Sequence, residues 1–206
     1  DVVLATPKNL KVVSANIVKK DNEAENLFLT LKWDIDYEDV LQILKDRNKT
    51  DKFNIDYLFY KGDSPNNIDT NKFMGVNLEF ENGSDVKKIK YTIKNGNNNG
   101  IELVQGDNKT FTSDRTDIVN NKEKKIIEAN VTFKIPVSHK DNADKKILQY
   151  PNTYFLATKG EYVINGANNN KEDFKTSLSL PATLTLNGIE DIEVPAPQNL
   201  KVVEES

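Results

Sequence analysis

The sequence contains no cysteine, only two arginines, one histidine and no long hydrophobic run. Without cysteine, the chain can have neither disulfide bonds nor a thiolate nucleophile or metal ligand. Because its arginines are limited to Arg47 and Arg115, we do not expect bidentate recognition of phosphate or carboxylate groups. No apolar stretch approaches the ~20 residues of a membrane-spanning helix, so we expect no membrane insertion.

The charge balance argues against nucleic acid as a partner. The chain has 28 basic and 32 acidic residues and a net charge of -4, whereas nucleic-acid-binding domains typically carry a basic stripe. The lack of cysteine fits a cytosolic protein, and equally a bacterial surface protein that does not use disulfides. Since the sequence begins at Asp1 without methionine, we expect it to be a mature segment or fragment of a longer protein.

Alternation of apolar and polar residues predicts an all-β fold of about ten short strands. In Leu27–Asp34, the residues Leu27, Leu29, Leu31 and Trp33 share one face, and we expect Trp33, the only tryptophan, to anchor the core. The same pattern predicts further strands at Asn9–Val18, Phe53–Tyr60, Val76–Glu81, Ile127–Ile135 and Ser177–Leu186, with Leu178, Leu180, Ala182, Leu184 and Leu186 inward in the last.

Three connecting segments also carry predictions. The spacing of Val40, Leu41 and Leu44 predicts a short helix within Asp36–Arg47. The Asn-Gly steps of Asn95–Gly100 predict a hairpin between the β runs on either side of them. The segment Asp107–Lys125 is polar and weakly patterned, so we expect an insertion that lies as a loop at one end of the fold.

The segment Leu148–Lys159 predicts a corner followed by a buried strand. Pro151 fixes φ and lacks an N–H donor, so it marks a turn before the strand. A tyrosine just past such a turn, here Tyr154, can bury its ring and direct its hydroxyl back to the backbone. A plain loop with a partly exposed tyrosine is the alternative, and Phe155 could hold the corner position instead.

A sequence motif recurs near the two ends of the chain. Pro7–Val13 and Pro197–Val203 differ only where Lys8 is replaced by Gln198, at an offset of 190 residues. Such a repeat indicates one unit followed by the start of the next. We therefore predict one enlarged domain at residues 1–194, containing either long insertions or a small inserted β unit at about 62–126. Residues 195–206 would be a linker and the start of the next repeat.

Several of these features resemble a fibronectin type III domain. Pro7 precedes the first strand, Trp33 lies on the second within Leu29–Asp34, Pro151–Tyr154 is similar to the corner before strand F, and Ser177–Leu186 resembles the last strand. The resemblance implies a β-sandwich of immunoglobulin-like type, here with long insertions and a short helix between strands B and C. It also implies a non-catalytic extracellular spacer or adhesion module of a multidomain bacterial cell-surface or secreted protein. Its partners would be neighbouring domains, or a host or cell-wall protein or glycan.

No pattern of residues predicts catalysis, and we assign no catalytic, cofactor-binding or metal-binding residue. His139, the single histidine, lies in a polar stretch with no evident partner for general-base work. Two groups of carboxylates could in principle offer oxygen ligands to Ca²⁺, but acids at a helix start need no metal. These are Asp34, Asp36, Glu38 and Asp39, and Asp107, Asp114 and Asp117.

Three other functions remain open at this point. A carbohydrate- or cell-wall-binding module of a secreted enzyme would need exposed aromatic rings, for which Tyr37, Tyr60 and Phe73 are the candidates. A phage tail module could share the fold. An enzyme would need a pair of carboxylates in a pocket, which spacing alone does not predict.

Overall fold

The computed structural model describes residues 5–38, 52–81, 89–94, 100–106, 109–139, 141–165 and 171–189. This part of the chain is all-β, as predicted, and its paired strands are antiparallel. The strands are β1 Lys8–Val18, β2 Asn26–Asp36, β3 Lys52–Ser64, β4 Asn67–Ile68, β5 Met74–Glu81, β6 Lys90–Lys94, β7 Glu102–Leu103, β8 Phe111–Val119, β9 Lys122–Pro136, β10 Ser138–His139, β11 Asn142–Lys146, β12 Asn152–Asn165, β13 Lys171–Lys175 and β14 Ala182–Leu186.

The first large sheet has the order β1-β2-β9, with β7 and β8 pairing with successive parts of the far side of β9. β2 and β9 run in unbroken register from Asn26 opposite Pro136 to Asp36 opposite Ile126. The apolar residues of both strands that sequence periodicity placed inward are fully buried, so that prediction is confirmed.

The second large sheet is built on β12 and β3. β14 and β13 pair with successive halves of β12, while β5 and then β6 extend the sheet beyond β3. β4 pairs with the end of β3, and β10 and β11 form a separate two-stranded ribbon. The strands within 62–126 thus belong to the two large sheets.

Aromatic side chains from the two sheets meet in one core. The Trp33 ring on β2 lies 5.2 Å from that of Tyr57 and 5.4 Å from that of Phe59, both on β3. Phe59 in turn makes an edge contact with Phe133 on β9 at 5.7 Å. Such pairs add about 0.5–1.5 kcal/mol each to the burial of apolar surface. The core position of Trp33 is therefore confirmed.

The predicted corner is present at Tyr154. This tyrosine is buried, and its hydroxyl oxygen accepts a hydrogen bond from the Gln149 backbone N–H at 2.8 Å. The Tyr150–Pro151 peptide bond that precedes it is cis. Tyr154 thus occupies the corner position that the sequence had left open between it and Phe155.

Several sequence predictions need correction. β6 pairs with β5 and β7 with β9, so these two strands belong to different sheets and the predicted hairpin around Asn95–Gly100 is wrong. The segment Asp107–Lys125 contains β8 and the start of β9 rather than a loop. Its turn is formed by Asn120 and Asn121, both at positive φ.

The inward placement of Leu178 and Leu180 is also wrong. Before β14 the chain leaves the strand pattern, and Thr176 and Ser179 turn inward in their place. Their hydroxyls accept hydrogen bonds from the backbone N–H groups of Gly160 and Thr158, each at 2.9 Å. These hydroxyls take the place of the backbone carbonyls that a paired strand would offer. Since Thr176 and Ser179 point inward, Leu178 and Leu180 face solvent.

Two predictions fall largely outside the described residues. Tyr37 and Glu38 are helical after β2, but the rest of the predicted helix, residues 39–47, is not described. The second copy of the repeated motif, at residues 197–203, is not described either.

The described chain begins and ends at opposite ends of the sheets. Lys8 lies opposite Asp34, and Ile17 lies opposite Leu27. Ile189, which follows β14, forms a parallel bridge with Ile17. Seven residues of β2 separate the two levels, which corresponds to about 23 Å at about 3.3 Å per residue. We call the end that holds Lys8 the proximal end and the end that holds Ile189 the distal end.

Candidate functional site

A network of charged side chains lies on the outer face of the first sheet at the proximal end. It extends across four neighbouring strands, from β1 through β2 and β9 to β8, and Arg115 is at its centre. Alternation places each member on the side of its strand that faces away from the core. We call this group the proximal charge network; its members are Asn9, Lys32, Asp34, Asp36, Ser113, Arg115, Asp117, Lys124 and Glu128.

Arg115 binds three carboxylates at once. It donates to Asp34 from Nη2 at 2.6 Å and from Nη1 at 3.2 Å, which is a two-point contact. It donates to Asp117 from Nε at 2.9 Å and from Nη2 at 3.1 Å, and to Glu128 from Nη1. This planar fork is the geometry for which arginine is suited. Arg115 thus binds carboxylates of its own chain, and the expectation about phosphate or carboxylate groups of a partner stays a prediction.

The network joins the two carboxylate groups that the sequence had separated. Asp34, on β2, and Asp117, on β8, are 83 residues apart and share one guanidinium. Asp36 contacts Lys124 of β9. Asp114 lies on β8 with its carboxylate 3.8 Å from the Lys125 ammonium. Asp39 and Asp107 lie outside the described residues.

Electrostatics favour the charged forms within this network. Burial alone would raise the pKa of Glu128, but hydrogen bonds from Lys32 and Ser113 and the positive charges of Lys32 and Arg115 together lower it. Hydrogen bonds to Asp34 and Asp117 raise the pKa of Arg115 above its ordinary value. The charged forms of Glu128 and Arg115 are thus stabilised by partners of opposite charge.

The first described residues of the chain cover the network. Ala5, Thr6 and Lys8 line one small groove together with Asp34 and Arg115. Asn9, at φ 57, donates from its side-chain amide to Asp34 at 2.6 Å. Asp34 is consequently only 7% exposed, although it lies on the outer face of the sheet. The network therefore ties the first described residues to β2 and β8.

The proximal charge network is suited to stabilising the fold. Its four carboxylates face three cationic side chains, so their charge is largely neutralised within the protein. Within the ranges that the structure describes, no three His, Cys, Asp or Glu side chains form a group that could hold a metal ion.

The aromatic residues considered for glycan binding do not form a platform. Tyr37 is 6% exposed and stacks on Phe80 at 5.8 Å, and Tyr60 is 7% exposed with the Lys159 ammonium over its ring. Phe73 is half-buried under Lys61. Tyr37 and Tyr60 were thus wrongly expected to be exposed. His139 lies half-buried in the short strand β10.

Sequence reasoning missed two features with exposed apolar residues. Leu180 is 87% exposed beside Leu178 on the hydroxyl-bonded segment before β14. Ile118 is 76% exposed and Val119 44% exposed at the turn between β8 and β9. The Asn120–Asn121 pair was the available signal for the second feature, because asparagine tolerates the positive φ of a two-residue hairpin turn.

Comparisons with protein-family models, with curated proteins and with solved structures find no significant match to this chain. Within the described residues, no helix has the length and apolar character required to cross a membrane.

Proposed function

We propose that this chain contains a non-catalytic spacer or adhesion unit of a multidomain bacterial cell-surface or secreted protein. The supporting observation is the separation of Lys8 and Ile189. These residues lie at opposite ends of the sheets, and the distance between their levels along the strands is about 23 Å. A unit with this arrangement passes the chain onward in one direction. Its first partners are then neighbouring units of the same chain, as the repeat at Pro197–Val203 suggests.

We further propose that the two sheets form an enlarged fibronectin type III-like sandwich. The orders β1-β2-β9-β8 and β14-β12-β3-β5-β6 correspond to the strand orders A-B-E-D and G-F-C-C′-C″ of immunoglobulin-like sandwiches. The Tyr154 hydroxyl bond supports the same assignment, since a tyrosine corner precedes or opens strand F in these folds. Trp33 lies on the second strand, whereas antibody domains carry their core tryptophan on the third.

The proximal charge network supports a structural role for the end where the chain enters. It fixes the first described residues to the sheet, so a force or rotation applied through the preceding segment acts on β2 and β8 as well as on β1. A spacer benefits from such an attachment because it limits bending at the junction between units.

A tandem chain tests the spacer proposal. It consists of residues 1–196 followed by residues 7–206, so that the two copies join at the repeated proline. Small-angle X-ray scattering should give a maximum dimension close to twice that of the single chain. A maximum dimension close to that of one unit would contradict the proposal. Binding of the single chain to insoluble cell-wall glycan would instead support the carbohydrate-binding alternative.

A further inference from the structure

The hairpin formed by β8 and β9 extends beyond the rest of its sheet at the proximal end. β2 ends at Asp36, opposite Ile126, so residues 116–119 and 122–125 continue as a two-stranded ribbon. The turn at Asn120 and Asn121 has φ values of 54° and 62°, which is the twist-compatible geometry of a tight hairpin. Seven residues of β8 separate the level of Lys8 from this turn, which corresponds to about 23 Å.

The end of this ribbon is apolar and exposed. Ile118 is 76% exposed and Val119 is 44% exposed, and both are β-branched residues that suit a strand. Both residues lie outside the hydrophobic core of this unit. Because successive residues of a strand face opposite sides, the end of the ribbon exposes one apolar side chain on each face.

Contacts at the base of the ribbon fix its direction. Arg115 and Asp117 of β8 belong to the proximal charge network, which joins the ribbon to β2. On the opposite face, the Lys125 ammonium lies over the Tyr37 ring, 5.8 Å from its centre. The ribbon is thus held on both faces, and its turn lies beyond the end of β2.

We infer that Ile118 and Val119 dock onto the distal end of a preceding copy of the same unit, around its Ile189. This inference rests on the proposed spacer function. Ile189 is 44% exposed and lies beside Asn187, Gly188 and Ile17 in an open groove. It is therefore an exposed apolar side chain at the end where the next unit begins.

Linker length supports this choice of occupant. By the offset of 190 residues, the residue of the next unit that corresponds to Ala5 is Pro195. Pro195 follows Ile189 by only six positions, which allows about 20 Å when the chain is fully extended. Ala5 lines the same groove as Val119, so the ribbon of the next unit reaches at least this far toward the preceding one. A linker of this length keeps the start of the next unit within about 20 Å of Ile189.

The tandem chain described above provides the test. Because the sequence has no cysteine, spin labels can be placed at Ser14→Cys of the first copy and Lys8→Cys of the second, both exposed positions. Pulsed electron–electron double resonance should give a narrow distribution of distances between the two labels. Ile118→Thr with Val119→Thr in the second copy should broaden it about twofold or more, since units without a firm interface move independently. Threonine retains the β-branched shape that the ribbon requires.

The same double substitution in the first copy is the matched control, because the ribbon of that copy faces no preceding unit. It should leave the distribution unchanged. A broad distribution in the unsubstituted tandem chain, or a narrow one that survives the substitution in the second copy, would overturn the docking inference. If the mean distance still corresponds to an elongated chain, the spacer proposal stands without the docking inference. A mean distance expected for two units side by side would contradict the spacer proposal itself.

Discussion

The Arg115 guanidinium holds the Asp34 carboxylate through two hydrogen bonds, at 2.6 and 3.2 Å, across 81 residues of sequence. β9 lies between their two strands, so the contact spans the width of a strand. It closes the outer face of the first sheet at the end where the described chain begins. Asp34 is nearly buried, so it depends on this partner for compensation of its charge.

Arg115→Met should destabilise the protein by about 1–3 kcal/mol, which is below the range for a fully buried ion pair because the arginine side chain is 35% exposed. The physical cause is the loss of the shared partner of Asp34, Asp117 and Glu128. Urea unfolding followed by Trp33 fluorescence measures the change.

Lys175→Met serves as the control for that measurement. The Lys175 ammonium lies 3.9 Å from Glu161, and its side chain is 65% exposed. An exposed pair of this kind contributes about 0–1 kcal/mol. Equal effects of the two substitutions would show that the proximal charge network has no special structural role.

Trp33→Ala should cost about 3–5 kcal/mol, because it removes a fully buried indole that packs on Tyr57 and Phe59 and leaves a cavity between the sheets. Thermal unfolding followed by circular dichroism measures the loss. Val13→Ala on β1, where the valine is 50% exposed, should change stability by less than about 0.5 kcal/mol. A Trp33→Ala protein as stable as the Val13→Ala protein would be inconsistent with a shared core.

Tyr154→Phe should destabilise the fold by about 1–3 kcal/mol, since it leaves the Gln149 N–H without its acceptor while the ring remains in place. Amide hydrogen exchange gives a second, local readout. The Gln149 amide should exchange faster in the variant, whereas amides in the middle of β9 should change only by the global loss of stability. Unchanged exchange at Gln149 would show that the corner bond contributes nothing.

Stability should fall as the pH rises above about 10. Burial is the main cause that raises the pKa of Tyr162 to about 12, from an ordinary value of 10.0. Between these two values the unfolded chain loses the Tyr162 proton while the folded protein keeps it. The contribution of Tyr162 is thus fully present below pH 10 and declines by about 1.4 kcal/mol per pH unit up to about pH 12.

Tyr162→Phe should reduce the slope of this decline by about 1.4 kcal/mol per pH unit. A decline caused by Tyr57 will remain, because burial also raises the pKa of Tyr57. Urea unfolding at a series of pH values measures both slopes. Parallel slopes for the two proteins would argue against a buried Tyr162 hydroxyl.

Much of the fold was predictable because period-two alternation survives wherever a strand has one buried face. Leu27 to Trp33 and Ile127 to Ile135 follow it without interruption, and the structure confirms their burial. The corner at Tyr154 was predictable from Pro151, which restricts the chain locally.

The failures arise where side chains substitute for backbone partners or where pairing is non-local. Thr176 and Ser179 occupy ladder positions through their hydroxyls, which shifts the register and exposes Leu178 and Leu180. The proximal charge network was not predictable, because Asp34 and Arg115 become neighbours only through the pairing of β2, β9 and β8. No local pattern encodes that pairing.

The most direct test of the spacer account is the distance between spin labels at Lys8→Cys and Ile189→Cys in the single chain. The sequence has no other cysteine, so both sites can be labelled selectively. The account predicts a single distance centred near about 23 Å, set by seven residues of strand at about 3.3 Å each. A distance below about 15 Å would place the two positions side by side at one end and contradict the account.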